Sequence, residues 1–220
     1  MKKAAQLLSN GELILTQDNR RDWTGNKNSI FKTLGASNHT DKERQNEDYY
    51  ATDPIAIDVL LNDGGVTFDK SIWEPACGQG HLSERLKEHG YNVWSTDIVD
   101  RGYGEGALDF FSYNDVWDGD ILTNPPYKFA KEFIEHSMEI IQKGCRVFMF
   151  LKVQFLEGKA RKKLFEKYPP KYIYVSSSRI LCAKNANFDE MRAGGGSAVA
   201  YAWYEFEKGY QGETVLKWIN

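Results

Sequence analysis

Residues 71–89, SIWEPACGQGHLSERLKEH, combine a short apolar run, a turn with two glycines and an amphipathic segment. The run Ser71–Trp73 predicts a buried strand, and Leu82–His89 predicts a helix with its apolar residues on one face. Gly78 and Gly80 allow a sharp turn and the close approach of a ligand to the backbone. Because the third glycine of a dinucleotide fingerprint is missing, a cofactor turn and an ordinary strand-to-helix turn both remain open.

Two acidic residues stand where predicted strands end. Glu74 closes the first strand, and Asp97 follows the second, 17 positions after Gly80. Open α/β sheets bind ligands outside the carboxyl ends of their strands, and an acid near this offset accepts ribose hydroxyls. Each acid alone is also compatible with a helix cap or a solvent-facing position. The two together favour a nucleotide-containing cofactor at the turn.

The alternation of strands and helices continues along the chain, which predicts an α/β fold with a parallel sheet and helices on both faces. Further strands are predicted at Asn92–Ser95, Ile121–Thr123, Arg146–Leu151, Tyr172–Ser176 and Ala198–Phe206, and further helices at Ile55–Leu61, Phe129–Ile141 and Lys159–Lys167.

Residues 1–48 differ from the rest of the chain in being polar and rich in turn formers. They predict irregular structure with one short strand at Glu12–Thr16. We therefore expect a polar N-terminal extension over 1–48 and a separate folded domain over 49–220.

Composition excludes several classes of protein. The chain has 220 residues, of which 41% are hydrophobic and 27% charged, and this suits one globular domain with a short appendage. The nearly balanced charge and the 14% aromatic content exclude a disordered chain. No apolar stretch is long enough to span a membrane, and the N-terminus lacks the apolar core of a secretion signal.

The cysteines and histidines indicate a reducing compartment and no metal. The three cysteines, Cys77, Cys145 and Cys182, form no CxxC pair, and the four histidines show no metal-ligand spacing. Cys77 is interpreted as a small apolar filler of the turn rather than a nucleophile. We therefore expect a cytoplasmic protein.

The segment Thr123–Tyr127, TNPPY, closes a predicted strand and precedes a helix. Its two prolines lack backbone donors and leave carbonyl groups free to accept hydrogen bonds. Asn124 adds an amide oxygen and Tyr127 a flat ring. The segment therefore predicts an acceptor-rich rim for a planar amino group, whereas a rigid turn alone would explain only the prolines.

These segments resemble the ordered motifs of S-adenosylmethionine-dependent amino-methyltransferases. The resembling segments are EPACGQG at 74–80, Asp97, LDF at 108–110 and NPPY at 124–127, with YYATDP at 49–54 similar to the N-terminal cofactor motif. Within this group the chain resembles DNA N6-adenine methyltransferases of the short phage or prophage type. This resemblance implies a catalytic domain over 49–220, a nucleic-acid contact by the extension at 1–48, and the cytoplasm of a bacterium or of a phage-infected host cell. The resemblance implies a Rossmann-like methyltransferase fold, α/β, with a mostly parallel seven-stranded sheet, helices on both faces and an antiparallel last strand.

The resemblance also implies a role for each motif residue. Asn124, Pro125, Pro126 and Tyr127 are the implied catalytic residues, which would hold an adenine flipped out of a DNA duplex. S-adenosylmethionine is the implied cofactor and S-adenosylhomocysteine its product. The implied cofactor contacts are Tyr50 and Thr52 near the methionine end, Glu74, Ala76, Gly78 and Gly80 at the turn, Asp97 at the ribose, and Asp109 and Phe110 at the adenine.

Basic residues cluster in one stretch, although the net charge of the chain is −3. Residues 152–192 contain ten bases and four acids, and this pattern is typical of phosphate contact. For the helix at 159–167 alone, a solvated face is the simpler interpretation. We expect a small recognition element around 152–197, with nucleic-acid contacts from Lys152, Lys159, Arg161, Lys162, Lys163 and Arg192.

Other functions remain open from the sequence. The NPPY motif also serves methyltransferases that act on RNA adenine or on a protein glutamine amide, because each acceptor presents a planar NH2 group. A nucleic-acid-binding relative without turnover is a further alternative. The recognition sequence, the biological role and the oligomeric state are not predicted.

Overall fold

A computed structural model describes residues 4–7, 13–16, 50–184, 186–194 and 199–220. The chain forms two compact units, Met1–Asn38 and His39–Asn220. In the first, β1 (Ala4–Leu7) pairs antiparallel with β2 (Leu13–Thr16). The strand predicted at Glu12–Thr16 is thus confirmed as β2, its partner β1 was not predicted, and the rest of the predicted extension lies outside the described residues.

The second unit alternates strands and helices. Its strands are β3 (Tyr50–Thr52), β4 (Ile72–Glu74), β5 (Val93–Ser95), β6 (Asp120–Thr123), β7 (Arg146–Lys152), β8 (Tyr172–Ser176), β9 (Cys182–Lys184), β10 (Tyr201–Glu207) and β11 (Val215–Ile219). Its helices are α1 (Ile55–Asn62), α2 (His81–Glu88), α3 (Ala130–Ile140), α4 (Lys159–Lys167) and α5 (Phe188–Ala193), with short 3-10 turns at Phe110–Ser112, Tyr127–Phe129 and Val153–Leu156.

Seven strands form the central sheet, in the order β11-β8-β10-β7-β6-β4-β5. β10 runs antiparallel to both of its neighbours, and the other strand pairs of this sheet are parallel. The mostly parallel seven-stranded α/β sheet is therefore confirmed, and β10 is its antiparallel strand, although the antiparallel strand was expected to be the last. β11 adds a further parallel strand after it, and β3 and β9 form a separate antiparallel pair.

The apolar core lies on both faces of the sheet. Along β7, Val147, Met149 and Leu151 face α3 and α4, whereas Phe148 and Phe150 face α1 and α2. Side chains alternate between the faces of a strand, so a strand covered on both sides is apolar at every position. This explains the continuous apolar run that predicted β7.

Two arginine–aspartate pairs connect neighbouring helices and neighbouring strands. Arg85 of α2 donates from Nε and Nη2 to the Asp58 carboxylate of α1, at 2.8 and 2.9 Å. Arg146 at the start of β7 pairs with the buried Asp120 at the start of β6, 2.8 Å away. Paired donors hold both partners in one orientation, which keeps neighbouring elements in register. No helix in the described part of the chain is long and apolar enough to cross a membrane.

Candidate active site

The predicted motifs converge at the carboxyl edge of the sheet. β4, β6 and β7 are neighbouring parallel strands, and they end at Glu74, Thr123 and Lys152. The ends of parallel neighbours share one edge, so the glycine turn after β4 and the NPPY segment after β6 lie side by side. The fold therefore brings the two motifs together although about 45 residues separate them in the chain.

Asn124 is held by the β3–β9 pair. Its Nδ2 donates to Thr52 Oγ1 at 2.8 Å and to the Tyr50 carbonyl at 3.2 Å. A carbonyl oxygen can only accept a hydrogen bond, so the nitrogen side of the amide must face Tyr50. The Oδ1 atom of Asn124 consequently points away from this pair, and it is buried without a hydrogen-bond partner.

A buried acceptor without a donor is unfavourable, at a cost of roughly 1–3 kcal/mol, and is uncommon in folded proteins. The unpaired Oδ1 is therefore a candidate acceptor for a ligand N–H. Pro125 is buried and Pro126 is exposed, so the first proline lies on the inner side of the turn. This arrangement agrees with the acceptor-rich rim predicted from the sequence.

Three tyrosine rings pack together next to the NPPY segment. The Tyr127 ring stacks on the Tyr201 ring at a centroid distance of 6.2 Å and an interplanar angle of 26°, and the Tyr50 ring is 6.4 Å away. The Lys152 ammonium lies 4.8 Å from the centre of the Tyr127 ring. Burial raises the pKa of the Tyr127 hydroxyl well above its usual range, so this phenol stays neutral. The rings form a flat-walled, uncharged surface with one cation beside it.

The glycine turn has the backbone that its sequence predicted. Gly78 and Gly80 have φ values of 57° and 84°, a region that side chains disfavour. A Cβ at Gly80 would come within 2.5 Å of the Tyr103 ring. Gly80 is therefore required both for the turn and for the packing of Tyr103, a contact that the sequence did not predict.

Asp97 connects the end of β5 to the glycine turn. Its Oδ2 accepts from the Gly78 amide at 2.8 Å, and its Oδ1 accepts from the Val99 amide at 2.9 Å. Each carboxylate oxygen can accept a second hydrogen bond. Asp97 therefore orders the turn and still has acceptor capacity for ribose hydroxyls.

Glu74 lies beneath the turn. It is 2% exposed and accepts a hydrogen bond from the Ser83 hydroxyl, which is itself 2.6 Å from the Ser95 hydroxyl. Burial raises the pKa of Glu74 to about 8, because a carboxylate is poorly stabilised away from water. At neutral pH Glu74 is mostly a neutral acid that supports the turn from below.

The remaining predicted cofactor residues differ in exposure. Asp109 is exposed, and its side chain accepts from the Phe111 amide at 3.0 Å. Phe110 is 2% exposed and stacks on Phe133 at 4.8 Å. Ala76 is half-buried and packs against the same core. Phe110 thus anchors the segment in the core and leaves Asp109 at the surface.

None of the three cysteines is suited to act as a nucleophile. Burial raises the pKa of Cys77 to about 12 and that of Cys182 to about 11, so both thiols are protonated at neutral pH. Cys145 is buried as well. The interpretation of Cys77 as an apolar filler agrees with this environment. Within the described residues, no group of three or more His, Cys, Asp or Glu side chains could hold a metal ion.

The predicted nucleic-acid contacts fall into two groups, residues that bind other protein groups and residues that are exposed or lie beside the aromatic rings. Arg161 donates to the Gln154 and Glu157 carbonyls, Lys162 pairs with Glu166, and Arg192 pairs with Asp53 at 2.6 Å. In the second group, Lys159 and Lys163 are exposed on α4, and Lys152 lies beside Tyr127. A phosphate contact by Arg192 would compete with its ion pair.

Sequence reasoning missed how Cys182 and Tyr201 enclose the site. Cys182 Sγ is 3.9 Å from both Asn124 Nδ2 and Thr52 Oγ1. These neighbours come from β9 and β10, far from NPPY along the chain. No local pattern marks them, because the pairing of β3 with β9 joins residues about 130 positions apart.

No protein-family model and no curated protein sequence matches the chain. Solved structures resemble it at low sequence identity. A candidate hemolysin from Lactococcus lactis has a TM-score of 0.53 at 12% identity, covering 74% of this chain and 91% of its own. The modification subunit of a candidate type I restriction enzyme from Vibrio vulnificus YJ016 has a TM-score of 0.51 at 14% identity, covering 79% of this chain and 47% of its own.

A predicted O-methyltransferase from Agrobacterium tumefaciens is similar to the same extent, with a TM-score of 0.51 at 12% identity, covering 76% of this chain and 85% of its own. At such identities a likeness concerns architecture, and one architecture serves many activities. The chain has the Rossmann-like α/β fold found among methyltransferases.

Proposed function

We propose that the protein transfers a methyl group from S-adenosylmethionine to the exocyclic N6 amine of adenine in DNA. The observation that carries this proposal is the buried, unpaired Oδ1 of Asn124, oriented by Thr52 and Tyr50. This atom is an acceptor without a donor, and an exocyclic amine would supply the N–H.

Asn124 and Pro125 would act by positioning. The Asn124 Oδ1 accepts one hydrogen of the amine and the Pro125 carbonyl the other, so the nitrogen lone pair is directed out of this hydrogen-bonded rim. When bound, S-adenosylmethionine supplies the electrophilic methyl group. Held by the glycine turn and Asp97, the cofactor would donate its methyl group to the amine nitrogen, and the displaced amine proton would pass to water. Cys77 and Cys182 have raised pKa values and stay protonated at neutral pH, so neither acts as a nucleophile in the proposed transfer.

The turn fits the proposed cofactor in its chemistry. Gly78 and Gly80 keep the backbone free of side chains at positive φ, and Asp97 retains acceptor capacity at the end of β5. Asp109 is exposed at the same edge, where it would accept from the adenine amine of the cofactor. The glycines would bind the cofactor closely and the two acids would orient it.

An aromatic surface favours a nucleobase as acceptor. Tyr50, Tyr127 and Tyr201 pack together next to the NPPY segment, and rings of this kind stack on an extruded base. The exposed lysines of α4 and the nearby Lys152 supply positive charge for a phosphate backbone. The likeness of the fold to a restriction-enzyme modification subunit is consistent with DNA as the partner.

The direct test incubates the full chain with radiolabelled S-adenosylmethionine and mixed-sequence duplex DNA, followed by nucleoside analysis. We expect labelled N6-methyladenine, reduced about 100-fold or more in Asn124→Ala, because a positioned polar contact to the reacting group is typically worth that factor. Asn114→Ala is the matched control, since Asn114 is exposed and bonds only locally to the Ser112 carbonyl among the described contacts.

Parallel reactions with total RNA and with protein substrates test the acceptor. Faster labelling of RNA adenine or of a glutamine amide would overturn DNA as substrate while keeping methyl transfer. If no acceptor is labelled and calorimetry detects no binding of S-adenosylhomocysteine, methyl transfer itself is wrong.

A further inference from the structure

β11 forms one edge of the central sheet, and its side chains are unusually exposed for their type. Trp218 is 71% exposed, Leu216 48% and Val215 47%. Among the described strands, β11 pairs only with β8. An exposed apolar edge strand is a template for another strand, and a contiguous apolar patch commonly marks an interaction surface.

The opposite edge of the sheet, formed by β5, differs from β11 because a following segment of the chain covers it. There, β5 is followed by a bridge between Thr96 and Glu105, and the Glu105 amide donates to the Ser95 carbonyl at 2.9 Å. A charged residue thus covers that edge, as natural sheets commonly arrange. The β11 edge has apolar side chains instead.

We propose that this edge binds a second copy of the chain, with the two β11 strands antiparallel about a two-fold axis at Val215. The backbone groups of β11 permit this pairing. The Val215 amide donates to the Lys171 carbonyl of the β8 side at 3.1 Å, and the Ile219 carbonyl accepts from Ser177 at 2.9 Å. The backbone N–H and C=O groups of the odd-numbered residues of β11 therefore face β8. Those of Leu216 and Trp218 face away from the sheet.

The sequence of the edge is complementary to itself in this register. Glu213 stands two positions before β11, and continuing the strand to it places Glu213 opposite the partner's Lys217. The two-fold axis repeats this contact, which gives one ion pair on each side of the central valines. Centring the pair on Lys217 would instead place like charges opposite each other, which is destabilising.

A cysteine cross-link tests the register directly. In this arrangement Val215 and its counterpart form a pair without mutual backbone hydrogen bonds, with Cα atoms roughly 4.5–5.5 Å apart, a separation that a disulfide can span. We expect Val215→Cys to form a covalent dimer on mild oxidation. Leu216→Cys is the matched control, because its counterpart in this register is two positions away. The native Cys77, Cys145 and Cys182 are buried and do not compete.

Sedimentation over a concentration series tests the association itself. We expect the native full chain to dimerise reversibly, Trp218→Lys to be monomeric, and Val116→Lys to behave as the native chain, since Val116 is 67% exposed outside β11. A native chain that stays monomeric, a Trp218→Lys variant that still dimerises, or no cross-link through Val215→Cys would each overturn the proposal. None of these readouts depends on methyl transfer.

Discussion

At the scale of single residues, Thr52 has a position that its sequence motif did not foretell. Its side chain is 3% exposed, and Oγ1 accepts from the Asn124 amide at 2.8 Å. It therefore contacts the proposed amine-binding side chain directly. We infer that Thr52 positions Asn124, whereas the sequence resemblance implied a contact with the methionine end of the cofactor.

Substitution of Thr52 separates these two roles. Thr52→Val keeps the shape but removes the acceptor, so the Asn124 amide retains only its longer bond to Tyr50. We expect kcat to fall about tenfold, equivalent to about 1.4 kcal/mol, which is within the range of one lost hydrogen bond. Thr52→Ser keeps the hydroxyl, so its kcat should stay close to that of the native chain. Steady-state kinetics at saturating cofactor provides the measurement.

If Thr52 served only to bind the cofactor, Thr52→Val would raise the dissociation constant of S-adenosylhomocysteine and leave kcat unchanged at saturation. Calorimetry on the same variants distinguishes that result from the expected one.

Glu74 makes stability depend on pH. Its pKa is about 8 in the folded chain and near 4.5 when unfolded, so the unfolded chain releases this proton first as the pH rises. The free energy of unfolding should therefore fall between about pH 5 and pH 8, by about 3 kcal/mol over most of that interval. Glu74→Gln, which cannot ionise, should remove this decrease. Urea unfolding at pH 5.5 and pH 8.5 provides the comparison.

Glu132→Gln is the control for Glu74, because Glu132 is exposed on α3. It should leave the pH dependence unchanged. Equal slopes for Glu74→Gln and the native chain would contradict the raised pKa.

At the scale of elements, α4 combines two kinds of basic residue. Arg161 binds the Gln154 and Glu157 carbonyls and lies 4.6 Å from the centre of the Phe155 ring, so it fastens the helix to the preceding turn. Lys159 and Lys163 are exposed. Helical spacing places these two lysines on one face, four positions apart.

Removing both lysines tests whether this face contacts DNA. The double variant Lys159→Ala/Lys163→Ala should weaken DNA binding equally for all sequences and reduce the slope of log K against log salt by about 2, one for each lost phosphate contact. Fluorescence anisotropy at several salt concentrations gives the slope. Lys70→Ala/Lys143→Ala removes the same charge just before β4 and β7, at the amino edge of the sheet, and should change the slope little.

An unchanged slope in the α4 variant would favour the simpler interpretation, a solvated helix face.

The small segment containing β9 and α5 has a different role from the one predicted for it. It was predicted as part of a recognition element, and in the structure β9 pairs with β3 while Arg192 binds Asp53. Its described contacts therefore build the wall of the Asn124 site.

At the scale of the whole molecule, the central sheet has polar side chains at the carboxyl ends of its strands and exposed apolar side chains on its edge strand β11. The carboxyl ends of β4, β6 and β7 carry Glu74, Asn124 and Lys152, whereas the outer side of β11 carries Val215, Leu216 and Trp218. The candidate active site and the proposed dimer interface are therefore separate, because the ends of the strands and the outer edge strand lie on different sides of the sheet. Pairing through β11 would leave the carboxyl edge of each copy free.

The sequence by itself determined the α/β class, six of the sheet strands and the two motifs at their ends. These features depend on local periodicity and on proline and glycine geometry, which are readable over a few residues. β3, β9 and α5 were not predicted, because short segments with little apolar periodicity are stabilised by contacts with distant parts of the chain.

Only the tertiary structure decided the roles of individual side chains. Thr52 meets Asn124, Glu74 is buried beneath the turn, and Phe110 enters the core, although all three belong to one predicted set of cofactor contacts. Burial and hydrogen-bond partners depend on which distant strands become neighbours. That choice is made by the packing of the whole sheet, so a local pattern can name a motif but cannot assign the direction in which each of its side chains points.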